Sequence, residues 1–354
     1  MILKYLQRKL GQKKSIFNLQ LDLTYKCNLN CSHCYQHHGF KSGDEIGIDD
    51  WKAVLRQYVK LTSMIDTAAV VTISGGEPLT SPIFYDLLDH IRKIKDISRI
   101  YVLTNGTLIK FAIAKALKES NSQVQISIEG SSADTNDNIR GRGSYEKVIN
   151  GIAELRRVGV PFTFQTVLQR STCACIPDFF EAAKRLGAQS MNFTRYIPTG
   201  IGNGFRSADS AAQVLSGSSL KNAFDCISNA SRQYAVPTNT LQPLWCLIDP
   251  SLGHPSSAGF LGLTVNPFGD IQLTSRIAES LGSALNKEGL IKVYFDSATM
   301  RRLRRGDIEG CSNCNYFRKC RGDRNVSFVA HGHFFGPDVH CWHWQEHIKD
   351  KVNY

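Results

Sequence analysis

The chain has 354 residues, of which 42% are hydrophobic, and a formal net charge of +11. This length can bury the core of one large domain with an appendage, or of two domains. No apolar run approaches the roughly eighteen residues of a membrane span, and the basic segment 1–16 lacks the apolar stretch of a secretory signal. We therefore expect a cytoplasmic protein without a membrane span. The basic runs contain no interleaved aromatic residues, which favours a solvated face over a nucleic-acid surface.

Strands and helices are predicted to alternate along the first two thirds of the chain. Apolar runs predict six strands, at residues 17–23, 70–73, 100–103, 124–128, 162–168 and 190–194. Helical periodicity predicts helices that begin at 49 and at about 82, 108, 144 and 177, and one more after a loop within 203–235. Such alternation requires a parallel sheet with right-handed crossovers, so the predicted fold class is α/β, an open or partial barrel. Ligands of these sheets bind at the carboxyl ends of the strands.

Three cysteines follow the first predicted strand, with the spacing Cys27-x3-Cys31-x2-Cys34. In a reducing compartment, 11 cysteines indicate metal ligands rather than disulfides. Three thiolates bind three irons of a four-iron cubane and leave the fourth iron open to a ligand with an amine and a carboxylate. Zinc is the alternative, but a structural zinc site needs a fourth ligand, for which His33 and the histidines at 37–38 are candidates.

The second predicted strand runs directly into the sequence Gly-Gly-Glu-Pro at residues 75–78. Without a Cβ, the glycines let a ligand approach the backbone closely, and the proline fixes the exit of the chain. A plain structural turn is the alternative. The third strand is followed by Thr-Asn-Gly at 104–106, which is also ordinary turn chemistry.

The stretch from Tyr25 to Tyr35 closely resembles the cluster loop of radical S-adenosylmethionine (SAM) enzymes, and residues 75–78 resemble the segment with which these enzymes take up the SAM amino group. The resemblance implies a partial (β/α)6 radical SAM barrel and SAM as cofactor. It also implies a SAM-binding 4Fe-4S cluster on Cys27, Cys31 and Cys34. The residues that it implies for SAM binding are Tyr35, Gly75, Gly76, Glu77, Thr104, Asn105, Ser127 and Arg140.

The region after the fourth strand departs from the family pattern at one position. The family's Ser-x-Asp-Gly reads Ser-Ile-Glu-Gly at 127–130, so the acid, Glu129, is one methylene longer. By position, Ser127 would bind ribose or amino-acid groups of SAM. Arg140 would pair with the SAM carboxylate through bidentate hydrogen bonds that Lys cannot form. A surface salt bridge is the alternative role of Arg140.

A second cysteine set lies near the C-terminus. It consists of Cys311, Cys314, Cys320 and Cys341. Four thiolates suit a closed iron–sulfur cluster or a zinc knuckle. This region looks like the SPASM extension of radical SAM enzymes, which holds two auxiliary clusters. Thr274 and Arg324 stand where cysteines of the first auxiliary cluster are expected, so the resemblance implies one auxiliary 4Fe-4S cluster.

These features predict a barrel at 17–240 and a SPASM-like domain at 241–354, with a β-hairpin at 262–271. The remaining cysteines are expected to be mainly packing residues, although Cys173, Cys175 or Cys246 could face the substrate. We expect the roughly sixteen residues before the barrel to be too few for a separate domain that binds a leader peptide, although an edge strand or a partner protein could bind a leader.

The resemblance implies an enzyme that forms a 5′-deoxyadenosyl radical from SAM and abstracts hydrogen from its substrate. With an auxiliary cluster as electron acceptor, we expect oxidative modification of a ribosomally made peptide or protein by a maturase. The alternative substrate is a small anionic molecule such as a tetrapyrrole, bound by Arg324 and nearby basic residues. A zinc and nucleic-acid-binding protein would not explain residues 75–78. The basic surface would also suit an acidic reductant of the flavodoxin or ferredoxin type.

Overall fold

The computed structural model describes residues 14–36, 44–199, 211–256 and 258–347. Most of the basic segment 1–16, the histidines at 37–38 and part of the loop before the helix at 203–235 lie outside the described residues. In the described ranges, no helix combines the length and the apolarity that a bilayer span requires.

The strands of the described chain join in one open sheet. They are β1 (Ile16–Asp22), β2 (Ala68–Ser74), β3 (Ile97–Thr104), β4 (Gln123–Ser127), β5 (Phe162–Leu168), β6 (Met191–Arg195), β7 (Gly262–Val265), β8 (Asp270–Gln272) and β9 (Gly282–Ser283). Their order across the sheet is β6-β5-β4-β3-β2-β1-β7-β8-β9. The first six strands pair in parallel and in chain order, which confirms the predicted α/β partial barrel.

Helices connect the parallel strands and continue into the C-terminal region. Those of the barrel are α1 (Ile48–Met64), α2 (Phe84–Arg92), α3 (Phe111–Glu119), α4 (Ala133–Arg140), α5 (Ser144–Val158), α6 (Arg170–Cys173), α7 (Ile176–Leu186) and α8 (Gly217–Tyr234). Those beyond it are α9 (Gly289–Asp296), α10 (Ala298–Arg305), α11 (Arg324–His331) and α12 (Trp342–His347). The predicted helices are all present. The short helices α4 and α6 were not predicted.

The barrel is held together by apolar side chains that helices and strands bury between them. In β5, every second residue is buried, as the period of a strand requires. Helix α7 packs Phe179 and Phe180 against Phe193 of β6, with ring centroids 6.4 and 5.8 Å apart. Aromatic pairs of this kind contribute about 0.5–1.5 kcal/mol beyond the burial of their area. This packing fixes the strand ends that carry the site.

The C-terminal hairpin continues the main sheet. The predicted hairpin at 262–271 is confirmed, since β7 pairs antiparallel with β8. Its place was not predicted: β7 also pairs in parallel with β1, with Leu263 beside Leu19. A Cβ on Gly262 would lie 2.5 Å from Asn18 O, so only glycine allows this close approach. The C-terminal region is thereby joined to the strand that leads into the first cysteine loop. The domain boundary at residue 240, between the barrel and the SPASM-like domain, stays a prediction.

Candidate active site

A cavity of about 540 Å³ opens at the carboxyl ends of the parallel strands. Its volume lies within the roughly 300–1,000 Å³ that is usual for ligand pockets. The cysteine loop 27–34, the ends of the strands and residues of the C-terminal region line it together. The sheet therefore gathers the predicted SAM and cluster residues at one place.

The three cysteines of the first loop line this cavity. Cys27 Sγ accepts hydrogen bonds from Leu29 N at 3.4 Å and from Asn105 Nδ2 at 3.8 Å. Arg140 Nη1 lies 3.9 Å from Cys31 Sγ. Burial raises the pKa of each of the three thiols, so they are protonated without metal and release protons when a metal binds. N–H donors and a guanidinium suit thiolates that carry negative charge.

The two glycines after β2 pack directly against the cysteine loop. A Cβ on Gly76 would lie 2.4 Å from Lys26 O, and a Cβ on Gly75 would lie 2.4 Å from Thr24 O. Gly76 N donates to Thr24 O at 2.7 Å, and Glu77 N donates to Lys26 O at 2.9 Å. Both glycines also line the cavity, where SAM is expected to bind. Their contact with SAM stays a prediction. The structure adds a second reason for glycine: a side chain would push the cysteine loop away from β2.

The Glu77 carboxylate lies behind the cavity and connects two strand ends. Its Oε1 accepts hydrogen bonds from Thr104 Oγ1 at 2.7 Å and Leu79 N at 3.1 Å, and its Oε2 accepts one from Asn105 N at 2.7 Å. Burial raises the pKa of Glu77 to about 7, against the opposing effect of these hydrogen bonds. Glu77 is fully buried and is not part of the cavity lining, so the structure gives it a positioning role. Its direct contact with SAM stays a prediction.

Arg140 forms a buried ion pair with Glu129, not a surface salt bridge. Its Nη2 lies 2.7 Å from Glu129 Oε1, which is also 3.1 Å from His33 Nε2. Glu129 Oε2 accepts a hydrogen bond from Val167 N at 2.9 Å. Burial alone would raise the pKa of Glu129, but His33, Arg140 and these hydrogen bonds lower it below its ordinary value. Arg140 Nε is buried and has no hydrogen-bond partner among the described residues.

Seven of the eight predicted SAM-binding residues line the cavity, with Glu77 as the exception. Sequence reasoning missed several other residues of the lining, two of which contact predicted SAM-binding residues. Gln36 Nε2 donates to Gly75 O at 3.2 Å, and Arg276 lies with its guanidinium carbon 5.2 Å from the ring centre of Tyr35. Gln36 could have been found from its place two residues beyond the last cysteine of the loop. Arg276 carries no such signal because it is far away in sequence.

The four C-terminal cysteines line a second, smaller cavity. Backbone N–H groups point at their sulfurs: Leu244 N and Gly322 N donate to Cys320 Sγ at 3.4 Å, and Trp344 N donates to Cys341 Sγ at 3.4 Å. Burial raises the pKa of Cys311 to about 11. The fold therefore brings together four cysteines that are spread over about thirty residues of sequence.

Cys246 lies beside Cys320 of this second site, and the neighbouring Cys320 thiol lowers the pKa of Cys246. It is buried and absent from the lining of the large cavity, so the suggestion that it faces the substrate is wrong. Cys173 and Cys175 are also absent from that lining. Both pack, partly buried, against the hydrophobic core, as expected.

Arg324 does not bind a substrate in the large cavity. Its side chain is fully buried and is not part of the lining. The role that the tetrapyrrole alternative gave to Arg324 is therefore wrong. Thr274, the other residue that replaces an expected cysteine, does line the cavity.

The donor sets at both sites fit iron–sulfur clusters. Each set consists of thiols that share one cavity, and sulfurs in each accept backbone N–H groups. His33, a candidate fourth ligand for zinc, has its Nε2 engaged by Glu129. In the part of the chain that the structure describes, no three His, Cys, Asp or Glu side chains converge on a single metal ion.

Residues 21–181 match the Radical SAM superfamily. The mycofactocin maturase MftC of Mycobacterium tuberculosis is 27% identical over 335 residues, which are 91% of this chain and 82% of that protein. This chain is a radical SAM enzyme. The AdoMet-dependent heme synthase of Methanosarcina barkeri is 26% identical over 351 residues, which are 90% of this radical SAM enzyme and 94% of its relative.

Solved structures of radical SAM enzymes share the fold of the chain. Streptococcus suis SuiB bound to S-adenosylmethionine superposes with a TM-score of 0.71 at 17% identity, over 94% of this chain and 78% of SuiB. Native anSMEcpe with bound AdoMet gives a TM-score of 0.67 at 19% identity, over 87% of this chain and 89% of that one. At these identities the likeness concerns the fold alone, and it confirms the predicted partial barrel.

Proposed function

We propose that this radical SAM enzyme is a maturase that oxidatively modifies a ribosomally made peptide or protein. The observation that carries the proposal is the lining of the large cavity, which contains many side-chain amides. They include Gln20, Gln125 and Gln165 on strands of the barrel and Asn239, Gln242 and Asn325 in the chain that follows α8. Carboxamides both donate and accept hydrogen bonds, as peptide groups do, so this lining suits a polypeptide segment.

The relatives support a peptide substrate. MftC is a maturase by name, and SuiB has a structure bound to its precursor peptide SuiA, which superposes on this chain with a TM-score of 0.70 at 16% identity. Both cover more than nine tenths of this chain, including the C-terminal region that completes the cavity. The substrate would therefore contact residues on both sides of the cavity.

A 4Fe-4S cluster on Cys27, Cys31 and Cys34, together with SAM, supplies the one-electron chemistry that forms the 5′-deoxyadenosyl radical. The chain's own residues bind and orient. Arg140, which lines the cavity, would pair with the SAM carboxylate while Glu129 holds its guanidinium in place. The glycines at 75–76 expose backbone beside the loop, and residues of the C-terminal region line part of the cavity, which would limit the access of water to the reacting atoms.

An auxiliary 4Fe-4S cluster on Cys311, Cys314, Cys320 and Cys341 would supply an acceptor for an electron of the oxidation. Cys314→Ala should then destabilise the C-terminal region and leave reductive SAM cleavage detectable, because that cleavage needs only the first cluster and the barrel. Complete loss of cleavage in a folded variant that keeps the first cluster would refute this division of roles. Liquid chromatography of 5′-deoxyadenosine measures the cleavage.

The electron donor in this proposal is an acidic carrier of the flavodoxin or ferredoxin type. Near the second site, the exposed cations are Arg301, Arg305, Arg318 and Lys319. Opposite charge steers such carriers to a surface and speeds their association. Low-potential clusters and free thiols also suit the reducing cytoplasm.

A small anionic tetrapyrrole is the second candidate substrate. The similarity to AdoMet-dependent heme synthase and the presence of Arg276 in the cavity lining favour it. Arg276, however, already donates to Thr194 Oγ1 at 2.8 Å and to Arg195 O at 3.2 Å. The amide-rich lining is less suited to the carboxylates of a tetrapyrrole, which need cations.

Hydrogen transfer to 5′-deoxyadenosine distinguishes the two substrates. The reconstituted enzyme is given SAM, a reductant and either deuterated precursor peptides encoded near its gene or deuterated iron coproporphyrin III, with Cys31→Ala as the inactive control. We expect deuterium in 5′-deoxyadenosine from a peptide, together with loss of hydrogen from that peptide in its mass spectrum. Transfer from the tetrapyrrole alone would refute the peptide proposal and support the second candidate.

A further inference from the structure

Arg324 is a buried cation beside the second cysteine site. Its side chain is 0% exposed, and its Nη1 donates to Phe334 O at 2.7 Å and Gly336 O at 2.9 Å. Its Nε and Nη2 have no hydrogen-bond partner in the described part of the chain. Burial of a charge is costly unless a counter-charge or hydrogen bonds offset it. Two donors of this guanidinium therefore lack an acceptor.

The nearby carboxylates do not fill that role, because another arginine engages them. Arg195 Nη2 lies 2.7 Å from Asp338 Oδ2 and 3.2 Å from Asp323 Oδ2. Across residues 14–36, 44–199, 211–256 and 258–347, no carboxylate lies within ion-pair distance of Arg324. The two carboxylates carry one charge more than Arg195 and also act on Arg324 at longer range, but they leave its Nε and Nη2 without an acceptor.

The thiols of the second site lie next to the guanidinium. A Cβ on Gly322 would lie 2.6 Å from Arg324 Nη2, and Gly322 N donates to Cys320 Sγ at 3.4 Å. Burial raises the pKa of Cys311, and the charge of Arg324 is the largest influence that lowers it. Arg324 is therefore close to Cys311 and Cys320, two of the four proposed cluster ligands.

We propose that Arg324 is the buried counter-charge of the auxiliary cluster and raises its reduction potential. This inference rests on the proposed function, in which Cys311, Cys314, Cys320 and Cys341 hold that cluster. A 4Fe-4S cluster with four thiolates is an anion, and the electron that reduces it adds one negative charge. A fixed cation therefore stabilises the reduced form more than the oxidised form, and free N–H donors act in the same direction. Burial limits the screening of this charge by solvent.

A redox titration followed by electron paramagnetic resonance tests the inference. The parent is the full-length chain with the three cysteines of the first loop changed to Ala, so that only the auxiliary cluster gives a signal. Arg324→Gln should lower the equilibrium constant for reduction about tenfold or more, which is about 59 mV for a one-electron couple. Arg324→Lys should keep most of the potential. Arg185→Gln removes an equal charge from an exposed position on α7 and should change nothing.

Equal potentials in Arg324→Gln and its parent would overturn the inference. An equal fall in Arg324→Lys and Arg324→Gln would also overturn it, because charge would not be the cause. Iron and sulfide analysis shows whether each variant and the parent still hold the auxiliary cluster. Loss of the cluster from both Arg324 variants, but not from Arg185→Gln, would make Arg324 a packing residue. A parent that binds no iron would instead refute the auxiliary cluster, and with it this inference.

Discussion

Gly76→Ala tests whether the glycines after β2 hold the first cysteine loop in place. The added Cβ would lie 2.4 Å from Lys26 O, 2.7 Å from Tyr25 O and 2.8 Å from Lys26 C, all of them backbone atoms. To reach an ordinary contact distance, the loop must move by about 1 Å, at a cost of roughly 1–3 kcal/mol. That shift also weakens the hydrogen bonds from Gly76 N to Thr24 O and from Glu77 N to Lys26 O, each worth about 1 kcal/mol. We expect a loss of about 2–4 kcal/mol at this junction.

The assay combines urea unfolding with iron and sulfide analysis after reconstitution. Gly76→Ala should lose much of the first cluster's iron and keep the iron of the second site, because only the loop at 27–34 is displaced. Gly47→Ala is the matched control, since its Cβ would meet only Asp50 Oδ2, at 3.8 Å. Full iron content and unchanged stability in Gly76→Ala would refute the reasoning, because the loop would then tolerate the side chain.

Three other measurements check the two sites and the core. Reconstituted protein should hold about eight irons per chain. Replacing the three cysteines of the first loop with Ala should remove about half of this iron and all SAM cleavage. A content of two zinc ions without labile sulfide would contradict both expectations. Arg140→Lys should weaken SAM binding by about 1–3 kcal/mol in anaerobic titration calorimetry, whereas the exposed Arg142→Lys should not; equal affinities would contradict the assignment. Burial raises the pKa of Asp22 to about 7, so its stabilising contribution is complete at acid pH and is lost as the pH rises through 7. Asp22→Asn should therefore be more stable than the wild type at pH 8 by about 2–4 kcal/mol in urea unfolding, with a smaller difference at pH 5; a constant difference would contradict the pKa.

The barrel could be predicted from sequence because its strands are apolar runs between amphipathic helices. Helix α4 escaped prediction because its sequence is mostly polar. It begins at a capping box in which Ser132 Oγ accepts a hydrogen bond from Thr135 N, and it ends at Arg140. A helix without an apolar stripe has no periodic signal, although it fixes a predicted SAM ligand.

The cysteine sets were visible from spacing, whereas the surroundings of the sites were not. Pairing of β7 with β1 depends on a close approach of Gly262 to Asn18, which leaves no periodic trace in the sequence. That pairing brings Arg276 and Asn325 to the cavity from the far end of the chain. Long-range contacts of this kind need the fold, and they supply the part of the cavity on which the substrate proposal depends.

Glu129 shows how the structure explains a departure from the family pattern. Its longer side chain lets one carboxylate reach Arg140 Nη2, His33 Nε2 and Val167 N. Because this carboxylate already neutralises the guanidinium, we expect Arg140 to bind SAM through the geometry of its remaining donors more than through net charge. Replacement by Lys loses those donors and keeps the charge, so the expected loss of affinity should be nearly the same at low and at high salt.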